Sequence, residues 1–77
     1  MVDTAERVKS VVAETLRVDP SMIKDGSRFV EDLGAESIQS VELVAAFEEE
    51  FDIEMDEQGA LGVKDVDSAV KFIEKHL

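Results

Sequence analysis

The chain has 77 residues, 44% of them hydrophobic and only 5% aromatic, with a net charge of −11. A chain of this length makes one small domain, burying roughly 60% of its unfolded surface around a modest core, here to be filled by Val, Ile and Leu. With no cysteine it can have neither a disulfide framework nor a thiolate metal site. The amino terminus lacks the basic-then-apolar pattern of a signal peptide, and no apolar run approaches membrane-spanning length, so a soluble, cytoplasmic protein is expected.

The first predicted element is a helix over residues 3–16. Ala5, Val8, Val12 and Leu16 form a stripe at spacings of three and four, with Val11 alongside. Asp3 or Thr4 can cap its start. A connecting segment runs from Arg17 to Glu36, long for so small a domain. Val18, Ile23, Phe29, Val30 and Leu33 are spaced to pin it to a core, and Asp19-Pro20 can start one helical turn through Met22 and Ile23.

A second helix is expected from Ser37 to about Phe51. Leu43, Phe47 and Phe51, with Ser40, form its inward stripe, while Ile38, Val41 and Ala45 lie on another face among Glu42, Glu48 and Glu49. An acid-rimmed apolar strip of this kind suits docking of a protein partner; the alternative is that Ile38 and Val41 pack under the long loop. Residues 56–62 form at most a short helix, because Gly59 and Gly62 each cost about 1 kcal/mol relative to Ala. The last helix runs from about Val66 to His76, capped by Asp65, with Val66, Ala69, Val70, Ile73 and Leu77 inward. No run alternates long enough for a strand. The expected fold is therefore all-α, a small bundle of three main helices plus one short one, with a long loop between the first and second.

The charge is unevenly placed. Residues 29–57 hold eleven acids and no Lys or Arg, while the remainder holds eight acids and eight basic residues. Such a field repels nucleic-acid phosphates and anionic lipids and attracts proteins with basic patches. The bland alternative is a solvated helix face that maintains solubility.

Unaided catalysis finds no support. The one histidine, His76, lies at the far end of the chain from Ser37, and no Gly-x-Ser-x-Gly elbow is present. Paired carboxylates such as Glu48 and Glu49 fall on an exposed helix, where nothing raises a pKa toward neutrality. The glycines fit no phosphate-binding loop. Asp52, Glu54 and Asp56 supply positions 1, 3 and 5 of an EF-hand loop, but Glu57 and Val63 stand where position 6 needs Gly and position 12 an acid. No metal site is expected. What remains is Ser37, which follows the turn permitted by Gly34 and stands at a helix start, where the dipole favours an anion. A phosphate ester there would be well placed; the alternative is an ordinary N-cap serine.

The stretch Phe29-Val30-Glu31-Asp32-Leu33-Gly34-Ala35-Glu36-Ser37-Ile38 resembles the modification site of acyl carrier proteins. The likeness continues through Val41-Glu42-Leu43-Val44 and Phe47-Glu48-Glu49-Glu50-Phe51-Asp52, and extends to Glu6-Arg7-Val8-Lys9 and Ala69-Val70-Lys71-Phe72-Ile73. It covers nearly the whole chain, as one carrier-like domain over 1–77. The resemblance implies a non-catalytic carrier. Ser37 would receive 4′-phosphopantetheine from coenzyme A by a phosphopantetheinyl transferase, and the arm's thiol would hold acyl groups as thioesters. It implies partner contacts at Glu36, Ile38, Val41, Glu42, Ala45, Glu48, Glu49 and Met55, made with basic patches of acyl-transferring and acyl-modifying enzymes of fatty-acid or related polyketide synthesis. It also implies an acyl-chain pocket at Phe29, Leu33, Phe47, Ala60, Val63, Ala69 and Phe72, and a monomeric protein. The family usually has Asp-Ser-Leu and then an acid where this chain has Glu36-Ser37-Ile38-Gln39, and a larger apolar residue at Ala45. These departures point to a specialised carrier. A peptidyl or D-alanyl carrier shares the architecture, and an unmodified acidic adaptor is the reading from a different class.

Overall fold

The computed structural model describes residues 3–77 and contains four helices: α1 (Thr4–Leu16), α2 (Ser37–Phe51), α3 (Glu57–Gly62) and α4 (Val66–His76). A 3₁₀ turn at Pro20–Met22 lies in the loop before α2. Among the described residues the only β-type pairing is an isolated antiparallel bridge between Arg28 and Asp65. No helix among them is long and apolar enough to cross a membrane.

Each helix starts where a side chain or its neighbour satisfies the first free N–H groups. Asp3 Oδ1 accepts from Glu6 N–H at 2.9 Å, and Asp56 Oδ1 from Gly59 N–H at 2.6 Å. At α4, Asp65 Oδ1 accepts from Ser68 N–H at 2.7 Å while Ser68 Oγ accepts from Asp65 N–H at 3.1 Å, a reciprocal capping box. Asp19 caps the 3₁₀ turn by accepting from Ser21 N–H, with Pro20 at its first position. Both α1 and α2 end on a left-handed residue, Arg17 (φ 56°) and Asp52 (φ 54°), whose N–H groups return to the carbonyls of Ala13 and Glu48.

The core forms where α1, α2 and α4 press their apolar stripes together. Val8 and Val12 of α1, Leu43 and Phe47 of α2, and Val66, Ala69 and Ile73 of α4 are all 2% exposed or less. Arg7 joins α1 to the end of α2: its guanidinium stacks 4.4 Å from the Phe51 ring centroid and bonds the Glu50 carboxylate at 3.0 Å.

The long loop is strapped down at both levels. Ile23, Phe29 and Ala35 are buried in the core. Phe29 N–H donates to Lys64 O and Val66 N–H to Ser27 O, both at 3.0 Å, which fixes the loop against the start of α4.

Two expected core positions, Val30 and Leu77, lie outside it, and Met22 of the 3₁₀ turn is exposed as well. Val30 is 54% exposed. The tight turn in which Asp32 and Leu33 N–H both return to Arg28 O aims Phe29 and Leu33 inward and leaves Val30 on the outer side. Leu77 is 67% exposed because α4 ends at His76, one residue short of extending the stripe. Met22 is 62% exposed, since the 3₁₀ turn buries Ile23 only.

Two predictions follow from this packing. Phe47→Ala removes a side chain with no exposure and should cost about 3–5 kcal/mol, most of the stability of so small a domain, while Leu77→Ala should stay within about 0.5 kcal/mol; urea melts followed by circular dichroism measure both. The second concerns acid. The Asp65 carboxyl is held below its usual 3.8, chiefly by its bond to Ser68, aided by Lys71 and Arg28. The unfolded chain therefore binds the proton first, and the carboxylate's stabilisation is complete above the ordinary aspartate value and lost as pH falls through the lower folded one. Asp65→Asn keeps a capping oxygen without the charge, so its stability deficit at neutral pH should shrink toward zero in acid; a deficit that persists undiminished at the lowest pH counts against this account.

Candidate functional site

The approach to α2 is built by a sharp turn and an anchor. Gly34 takes φ 72°, a left-handed conformation that suits glycine, and its N–H returns to Val30 O. Ala35 next to it is buried and donates to Phe29 O at 2.8 Å. Two residues after this anchor the chain enters α2 with Ser37 as its first helical residue, exposed to solvent. The N-cap position belongs to Glu36, whose N–H donates to Gln39 Oε1 at 2.9 Å. Ser37 is therefore not the capping residue, and the ordinary N-cap explanation for it falls. Its hydroxyl stands beside the positive end of a fifteen-residue helix whose N-cap residue is the acid Glu36 and whose first turn contains none. That is a favourable setting for a phosphodiester, and the residues present fit such a group.

From Ser37 an exposed surface follows α2. Ile38 is 68% and Val41 69% exposed, and Glu36, Glu42, Ala45 and Glu49 are exposed with them. The alternative in which Ile38 and Val41 pack beneath the loop is overturned, because the loop is anchored instead through Phe29 and Ala35. Two residues of the implied contact set are placed differently. Glu48 is half-buried, with Oε2 accepting from Met55 N–H at 3.0 Å. Met55 is only 8% exposed and belongs to the core, drawn inward where the chain turns from α2 toward α3.

A cavity of about 420 Å³ opens between α2, α3 and the loop, within the range of small-molecule sites. Of the seven residues expected to line a pocket, Phe29, Phe47, Ala60 and Val63 do so. The other three do not. Ala69 has no exposure and fills the core, Leu33 packs on the core from the loop, and Phe72 lies on the α4 side of α3, stacked on His76 at 4.4 Å between ring centroids. Val30, Val41, Leu43, Val44 and Leu61 complete the apolar wall, with Ser40, Glu31 and Lys64 as the polar lining. Of these, Leu43 was legible only as a core residue. Leu61 sits in a helix of six residues, too short to show a period.

Among the described residues no group of three His, Cys, Asp or Glu side chains is placed to hold a metal ion. His76 is committed to the far end of α4, where Nδ1 lies 2.9 Å from Phe72 O.

With this geometry in view, the sequence profile of one known family, described as "Phosphopantetheine attachment site", matches residues 6–73. The match takes in α2, α3, most of α1 and α4, and the loop that carries the turn into α2. Carrier domains of this kind are typically non-catalytic, and they work with phosphopantetheinyl transferases and acyl-handling enzymes. The chain thus belongs to the phosphopantetheine-attachment family of carrier domains, the family of the acyl carrier proteins, and its cofactor is 4′-phosphopantetheine.

Proposed function

We propose that Ser37 is the attachment residue and that the chain carries acyl groups to partner enzymes. The observation that carries this reading is the exposed hydroxyl of Ser37 at the first position of α2, inside the family match. Ser37 Oγ forms the new bond to phosphorus. The phosphoanhydride bond of coenzyme A breaks, adenosine 3′,5′-bisphosphate leaves, and the hydroxyl proton passes to a base of the transferase. When bound, the arm supplies a thiol that holds acyl groups as thioesters, chemistry that a chain without cysteine lacks. The α2 dipole favours the phosphodiester's charge, and Gly34 with Ala35 holds the helix start at a fixed place on the surface.

The apolar cavity supports the acyl reading over a peptidyl or D-alanyl cargo, because it offers burial to a hydrocarbon chain and little to a polar one. Its lining reaches Val41, one turn along α2 from Ser37. Ile38, Val41 and the acids Glu36, Glu42 and Glu49 form the surface for partners with basic patches, where charge speeds encounter and salt weakens it. The departures Glu36, Ile38 and Gln39 lie at the attachment site itself, which favours a specialised carrier over one serving general fatty-acid elongation. Support of a complete elongation cycle by this chain would count against that refinement.

Intact mass after incubation with coenzyme A and a broad-specificity transferase should rise by one phosphopantetheine in the wild type and not at all in Ser37→Ala, with circular dichroism unchanged. A gain that survives in Ser37→Ala, or none in the folded wild type, overturns the assignment. Ile38→Ala should leave stability within about 0.5 kcal/mol yet lower the transferase's kcat/KM roughly fivefold or more; equal rates would remove Ile38 from the contact surface.

A further inference from the structure

The cavity wall opposite α2 is α3, and it is lightly held. None of residues 58–62 is fully buried, and Leu61 is 70% exposed. The helix has two apolar neighbours on two sides. Ala60 and Leu61 face the cavity, while Gly59 and Gly62, three positions apart on one face, border a shallower depression shared with Phe72 of α4. At Gly59 the approach to α4 is very close. A Cβ there would lie 2.7 Å from Phe72 Cζ and nearer still to Cε2, far inside the optimal carbon–carbon separation of roughly 3.5–4.0 Å. It would also lie 2.9 Å from Asp56 Oδ1, so any side chain here requires the Phe72 ring or α3 itself to shift. Behind the Phe72 ring stands His76, stacked on it at 4.4 Å.

We propose that Gly59 and Phe72 together set how closely α3 seats on α4 and, through Ala60 and Val63, the width of the cavity, making this pair the determinant of which acyl-chain lengths the carrier shelters. The inference rests on the cavity being the acyl shelter. Phe72 acts as a positioning residue: it does not line the cavity, and it backs the helix that does. A methyl group added at Gly59 pushes α3 off the Phe72 ring and toward α2, so the cavity narrows. Shortening Phe72 to Leu returns the space and lets α3 settle back.

The test transfers acyl-phosphopantetheine from straight-chain acyl-coenzyme A donors, butyryl to palmitoyl, onto wild type, Gly59→Ala, Phe72→Leu and the double variant. The reading is the gain in Tm over the unacylated holo form at each length. The wild-type gain should rise with each methylene buried and level off once the cavity is full. In Gly59→Ala the plateau should come at a shorter chain, each excluded methylene weakening sheltering about fourfold, and the double variant should recover the wild-type profile. An unchanged profile in Gly59→Ala, or a shift that Phe72→Leu does not reverse, overturns the proposal. Failure of the carrier reading looks different, as an unchanged mass after the transferase step. The unmodified proteins then decide the wall's position by NMR: nuclear Overhauser effects from the Ala60 and Val63 methyls to α2 should strengthen in Gly59→Ala, and unaltered ones overturn it.

Discussion

The packing of Phe47 holds the molecule's two functional demands together. Its side chain is fully buried among α1, α2 and α4, yet one side of it forms part of the cavity wall. Its ring lies 6.3 Å from that of Phe29, tilted at 42°, in the favourable range for an aromatic pair. Through that pair the long loop is tied to α2, and through Phe29 N–H to Lys64 O the loop is tied to the start of α4. The same aromatic contact therefore fixes the loop that leads into Ser37 and one face of the space beneath it.

Charge follows a complementary logic. The acids between residues 29 and 57 have no cation of their own, so any local relief must come from outside the segment. Arg7 reaches Glu50 at one end, and Arg28 reaches Glu31 and Asp32 at the other. These exposed pairs add little stability; their effect is to place the neutralisation at the edges. Among the described residues Glu36, Glu42 and Glu49 join no ion pair, and they surround the exposed Ile38 and Val41. The repulsion this leaves along α2 is a cost to folding that the Leu43, Phe47 and Phe51 stripe must offset.

How much of this was legible in the sequence depended on period and chemistry. The α1 and α4 stripes and the caps at Asp3, Asp19 and Asp65 could be read because local hydrogen bonding and a 3.6-residue repeat set them with little help from the rest of the fold. Phe29 and Val30 could not be separated, since adjacent apolar residues in a loop have no period and only the turn around Arg28 O decides which points inward. Met55 is a surface contact only by the family resemblance; its burial depends on how the chain folds back after Asp52, which no local pattern encodes. Phe72 was assigned to the right neighbourhood and the wrong side of α3. Sequence spacing on α4 gives its face, but which side of a six-residue helix it meets is a property of tertiary packing alone.

The contrast between α2 and α3 bears on how a small chain can hold and release a cargo. Helix α2 is keyed into the core by three buried side chains and capped at its start by Gln39, which ties the helix carrying Ser37 to the core. Helix α3 has one turn or so of backbone bonding, two glycines and no fully buried residue between 58 and 62. Elements with few buried contacts open at low free-energy cost. On the reading proposed above, a cavity between one firm wall and one yielding wall would admit a hydrocarbon chain without unfolding the bundle, and a partner docking on α2 would meet the acids, Ile38 and Ser37 on the better-held wall.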